Sequence, residues 1–112
     1  MNDRRSGKER RAFERVNVVV DTEWADASGA RHVGTISDIS SLGCYVLCAG
    51  SVEDGDAVKI FLPLGSDGMR VEFSGEVANH FLEIGFAARF TDLSEAQADF
   101  LQKFIDEARK SS

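Results

Sequence analysis

Most of this chain is written as short extended runs separated by turn residues, and then the pattern changes once, close to the end. Val16-Asn17-Val18-Val19-Val20-Asp21-Thr22-Glu23-Trp24 is rich in β-branched residues and partly alternating, which predicts a strand. Asp26-Ala27-Ser28-Gly29 reads as a turn, with Gly29 free to take a positive φ. Residues 31–39 then resume as a second strand, giving a hairpin. After the polar stretch Asp38-Ile39-Ser40-Ser41-Leu42-Gly43, a third strand is predicted over 44–48 and a fourth over 58–62, ended by Pro63. Gly65-Ser66-Asp67-Gly68 is a further turn; residues 69–78 form a fifth strand, Asn79-His80 a corner, and 82–90 a sixth strand.

The final segment has a different period. Ser94 and Gln97 have the spacing of a capping box. Phe100, Leu101, Phe104, Ile105 and Ala108 then recur at helical spacing, with Glu95 and Asp99 early and Arg109 and Lys110 late to complement the helix dipole. A helix is therefore expected over about 94–109. Six short strands followed by one amphipathic helix predict an all-β fold, a six-stranded antiparallel β-barrel with the C-terminal helix laid over one end or side. Closure removes exposed strand edges, and the helix covers apolar surface left by the barrel. Length fits a single domain, and the expected division is a flexible basic N-terminal arm at 1–9 and the barrel domain with its helix at 10–110.

Charge is distributed unevenly. Residues 1–15 hold six basic side chains and three acidic ones on a chain of net charge -6, which leaves -9 for the other 97 residues. Arg4, Arg5, Lys8, Arg10, Arg11 and Arg15 gather at one end. Guanidinium groups are planar, permanently charged forks suited to phosphate oxygens and to stacking on flat rings. The acidic remainder argues against DNA or RNA as the partner, because a nucleic-acid groove should be basic along its length. No apolar run is long enough to span a membrane and no apolar signal core stands at the N-terminus, so a cytoplasmic protein is expected.

A second polar feature gives the arginines a counterpart. In an extended segment residues two apart share a side, so Asp38 and Ser40 present a carboxylate and a hydroxyl together. Gly43 is free of a side chain and can bring backbone close to a ligand. The same residue types also cap turns. Cys44 and Cys48, about 13 Å apart on one strand face, are too distant for a disulfide and read as buried structural thiols. Trp24 and the phenylalanines read as core. His32 and His80 show no partner in the sequence and read as surface residues, and Tyr45 is left open. No nucleophile–base pair, paired carboxylates or metal cluster stands out, so a binding protein is expected and not an enzyme.

Together, Arg11-x-x-x-Arg15 and Asp38-x-Ser40-x-x-Gly43 resemble the two-part signature of the PilZ domain family. Residues 9–16, 73–77 and 84–90 are similar to the family's opening and closing segments, and the resemblance covers about residues 9–108. It implies a six-stranded barrel that binds the bacterial second messenger cyclic di-GMP. Arg11 and Arg15 would grip phosphates and stack on guanine, Asp38 and Ser40 would read a guanine edge, and Gly43 would allow close approach. Arg10, directly before the first motif, implies a stacked pair of nucleotides as ligand, with no other cofactor. Glu14 stands where relatives often have proline. The implied activity is that of a second-messenger receptor whose N-terminal arm changes conformation on binding and signals to a protein partner. The alternative is a nucleotide-independent interaction module of the same type.

Overall fold

The β1–β2 reversal sets the register on which everything else is built. In a computed structural model, which describes residues 15–64 and 68–111, β1 (Val16–Ala25) and β2 (Arg31–Ile39) run antiparallel with Ala25 opposite Arg31. Gly29 takes φ 93°, as the turn requires. The Asp26 carboxylate accepts from the Ser28 and Ala30 backbone N–H groups and from the Ser28 hydroxyl, so the turn is closed by its own first residue. A bulge between Asn17 and Val20 then shifts the far end, bringing Asn17 opposite Asp38.

β3 (Gly43–Leu47), β4 (Ala57–Leu64), β5 (Met69–Phe81) and β6 (Gly85–Thr91) complete a closed barrel in the order β1-β2-β3-β6-β5-β4. Closure is made by β4 on β1, with Trp24 opposite Ile60. All six predicted strands and the barrel are present.

The boundaries around the β4 end and the β5–β6 reversal differ from the sequence expectation. Pro63 does not end β4, which runs on to Leu64, with Pro63 opposite Arg70 of β5. β1 pairs with β4 only as far as Phe61, so Pro63 lies where one side of the strand is unpaired and a residue without N–H is tolerated. Asn79 and His80 are not a corner but part of β5, where a bulge between Val77 and Asn79 absorbs the irregularity. The reversal falls instead at Leu82-Glu83-Ile84, with Glu83 at φ 63° and the Ile84 N–H donating to the Phe81 carbonyl.

The barrel interior is filled by Trp24, Ile36, Val46, Ile60, Phe73 and Phe86, all fully buried. Each such side chain contributes roughly 1.5–3 kcal/mol relative to exposure. Trp24 sits edge-on to Phe86 (centroids 4.9 Å), and a Cβ at Gly50 would stand 2.7 Å from its ring, so that glycine is a condition for seating the indole. Helix α1 (Glu95–Ser111) begins with the expected capping box: Gln97 N–H donates to Ser94 Oγ at 3.0 Å, and Ser94 N–H donates to Gln97 Oε1 at 2.8 Å. Its stripe packs as predicted, with Leu101 and Ile105 buried and Phe100 against Phe73. Gln97 Nε2 also donates to the Glu72 carbonyl, tying the first turn to β5. Among the described residues no helix is long and apolar enough to cross a membrane.

Both cysteines are free. Cys44 faces inward, and burial pushes its thiol up to about 12. Cys48 lies beyond the end of β3 and is only half-buried, a correction to the expectation that both thiols are buried. His80 is exposed as expected and His32 only partly so, and each has a carboxylate partner that the sequence alone did not reveal. His32 Nε2 lies 2.8 Å from Asp26 Oδ2 with its ring stacked on Trp24, and His80 Nδ1 lies 2.7 Å from Asp54 Oδ1.

Candidate nucleotide-binding site

Antiparallel pairing brings the start of β1 beside the end of β2, and this joins the two motifs. Arg15 immediately precedes β1, and Asp38 is the penultimate residue of β2. With Asn17 opposite Asp38, the Arg15 side chain reaches across: Nη1 donates to Asp38 Oδ1 at 2.7 Å. Arg15 is about half exposed and Asp38 less so, at 55% and 24%. The pair is open enough for a ligand to reach both groups, and its own contribution to stability is small, about 0–1 kcal/mol for an exposed ion pair.

Ser40 follows in the tight β2–β3 turn and is buried. Its Oγ accepts from the Leu42 N–H at 3.1 Å, and its own N–H donates to the Gly43 carbonyl at 2.8 Å. The serine therefore holds the turn, with its hydroxyl hydrogen still able to donate elsewhere. Gly43 opens β3 opposite Arg89 of β6. A Cβ there would stand 2.0 Å from the Ala88 carbonyl oxygen, so the barrel wall itself demands a glycine at this position. The backbone of the neighbouring strand β6 comes close to Gly43 on this side.

Asp38, Ser40 and Gly43 thus surround one turn, and Arg15, just before β1, meets Asp38. Arg10 and Arg11 lie outside the described residues. What the sequence reading missed is the direct Arg15–Asp38 contact, since it gave the two residues separate tasks. Counting back from the Asp26–Gly29 turn places residue 17 opposite 38 or 39, so the signal was available. Tyr45 was also left unassigned, and it stands directly opposite Asp38 on β3. Among the described residues no cluster of histidine, cysteine and carboxylate side chains is arranged to hold a metal.

The PilZ domain family model matches residues 9–107, nearly the whole chain and both motifs. The chain belongs to the PilZ domain family. Solved PilZ structures share its fold at low identity. The PilZ domain of CeSA from a cellulose-synthesizing bacterium superposes with TM-score 0.69 at 18% identity, covering 86% of this chain and 98% of that one. The PilZ domain of YcgR from Escherichia coli, solved with c-di-GMP, gives 0.74 at 17% identity, covering 91% and 93%. PlzA of Borreliella burgdorferi, in complex with c-di-GMP, gives 0.66 at 13% identity, covering 92% of this chain but 44% of that protein. No curated protein matches by sequence.

Proposed function

We propose that this PilZ domain is a receptor for cyclic di-GMP, and that it acts by binding and not by catalysis. The observation that carries the reading is the meeting of the two motifs, Arg15 on Asp38 at 2.7 Å, beside the turn that holds Ser40 and Gly43. It is supported by family membership and by two structural neighbours, YcgR and PlzA, solved with this nucleotide.

The chemistry assigned to each residue follows from its donors and acceptors. Asp38 has two carboxylate oxygens, and Arg15 engages one of them, Oδ1. The remaining acceptor capacity suits the adjacent N–H groups of a guanine edge. Arg15, already oriented by the carboxylate, presents its other guanidinium N–H groups to phosphate oxygens or its flat face to a base. The Ser40 hydroxyl offers one donor at the same edge. Arg11 supplies a second phosphate contact, and Arg10 holds the second nucleotide of a stacked pair. Binding draws the basic segment before Arg15 onto the barrel, and the altered surface is what a protein partner reads.

Calorimetric titration with cyclic di-GMP tests the reading. Saturable binding at two nucleotides per chain is expected, falling to one in Arg10→Ala. Absence of heat at tens of micromolar protein overturns the receptor and leaves the nucleotide-independent interaction module. Amide exchange in residues 4–15 that is unchanged by nucleotide overturns the conformational step alone.

A further inference from the structure

Each side of Asp38 along the barrel wall is occupied by one cross-strand neighbour: Asn17 on β1 and Tyr45 on β3. Residues directly opposite on antiparallel strands project to the same face with Cβ atoms about 4.5–5.5 Å apart. On β3 the buried Cys44 and Val46 point into the barrel, so Tyr45 and Leu47 face outward, and Tyr45 is half-exposed. The row continues through Ala87 on β6, opposite Tyr45, which adds no bulk beside the phenol ring. Phe81 packs against that ring from the end of β5, with centroids 6.3 Å apart and planes tilted by 32°. The proximity to Asp38 is felt electrostatically: burial pushes the Tyr45 hydroxyl pKa up, and the charges of Cys48 and Asp38 add to the effect.

A base whose edge is read by Asp38 must lie with its plane close to the carboxylate, and so must extend over an adjoining strand. On the β1 side it would meet an amide, Asn17. On the β3 side it would meet the only tyrosine of the chain, buttressed from behind by a phenylalanine. We propose that Tyr45 is a base-stacking residue of the nucleotide site, laying its ring against the guanine that Asp38 reads. This rests on the receptor reading. The energetic rationale is that aromatic stacking adds attraction with no further hydrogen-bond requirement, and Phe81 limits the ring freedom that binding would otherwise have to remove. It also assigns the solvent-facing aromatic pair on the barrel wall a task besides padding.

The test is calorimetry with cyclic di-GMP on Tyr45→Phe, Tyr45→Leu and Tyr45→Ala, alongside wild type. Phenylalanine keeps a π-face and should bind within about twofold of wild type. Leucine keeps apolar bulk against Phe81 and Ala87 but has no π-face. Leucine and alanine should each weaken binding about tenfold or more, the scale of losing one base–aromatic stack. Thermal melting of each variant separates loss of binding from loss of fold, and Tyr45→Leu serves where alanine melts early. Because the chain has one tyrosine, its ring proton resonances belong to Tyr45, and stacking should move them upfield on addition of nucleotide. Wild-type affinity in the leucine variant, or ring resonances that do not move when nucleotide binds, overturns the stacking role and leaves the receptor intact. Failure of the wild-type protein to bind overturns both.

Discussion

Two turns of this barrel contain the same residue types in the same order and do opposite things. Asp26-x-Ser28-Gly29 joins β1 to β2, and Asp38-x-Ser40-x-x-Gly43 joins β2 to β3. At the first, the carboxylate is used up locally by two backbone N–H groups, the Ser28 hydroxyl and the His32 ring. At the second, the carboxylate stays out of its own turn. Ser40 Oγ accepts from Leu42 instead, and among the described residues Asp38 is met by Arg15 alone. The reason is position: Asp26 lies past the end of a strand, where the chain curls back over its carboxylate. Asp38 lies within a strand, whose extended backbone turns its side chain to the barrel's outer wall. Composition marks both as turns, and only the second is left with acceptors for a ligand.

The glycines divide the same way and give the largest expected effect. Gly29 is needed for its φ of 93°, with open space around the missing Cβ, whereas Gly43 is needed because the Ala88 carbonyl would lie 2.0 Å from a Cβ. Gly43→Ala should therefore cost about 3 kcal/mol, the upper end for overpacking against a rigid neighbour. Gly29→Ala should cost about 1–2 kcal/mol, the strain of a left-handed alanine. Urea unfolding of the two variants measures the gap. Equal losses would mean that β3 and β6 can separate, and that ligand approach and not barrel packing is what keeps residue 43 a glycine.

The next contrast is between binding and stability. Arg15→Ala and Asp38→Ala should each weaken cyclic di-GMP binding by about ten- to a hundredfold, since each removes a charge-assisted contact of about 1.5–3 kcal/mol. Neither should change the unfolding midpoint by more than an exposed ion pair is worth, about 0–1 kcal/mol. Asp26→Ala should do the reverse, leaving the titration unchanged and lowering the midpoint. A Ser40→Ala variant falls between the two classes. It removes the acceptor of the Leu42 N–H in a part-buried turn, at about 1 kcal/mol of stability, and any loss of affinity beyond a fewfold would mark a direct contact with nucleotide.

How much of this was readable beforehand depends on the range of the interaction. Local signals were sufficient for the Ser94–Gln97 cap, the helix stripe and the Asp26–Gly29 turn, because each involves residues a few positions apart. The same is true of the barrel as a class, since six extended runs in a chain this short have few ways to hide their edges. Bulges defeated the finer reading. The one after Val77 hid the continuation of β5 through Asn79 and His80, and a proline tolerated at a half-paired position hid the end of β4. The site divides along the same line. Its residues were visible as motifs, but the Arg15–Asp38 and Asp38–Tyr45 neighbours arise only from cross-strand register, which two bulges shift by one residue each.

The smallest expected effect is one of pH, and it belongs to the first turn. The Ser28 hydroxyl, then His32, hold the Asp26 carboxyl well below the ordinary aspartate range, over the opposing effect of partial burial, and the Ala30 and Ser28 N–H groups add to the depression. A carboxyl depressed in the folded state stabilises the fold at pH values above its unfolded pKa of about 3.9, and that contribution is lost as pH falls through the lower folded value. Wild-type protein should therefore lose urea resistance between neutral pH and the acid limb, and Asp26→Asn should show a shallower decline over the same interval. An amide keeps an acceptor oxygen for the Ser28 and Ala30 N–H groups but has no proton to gain. Nucleotide binding at neutral pH should be identical in the two proteins. Parallel declines would mean that the turn is held by its backbone path alone, and that the four contacts on Asp26 contribute little more than the single one on Asp38.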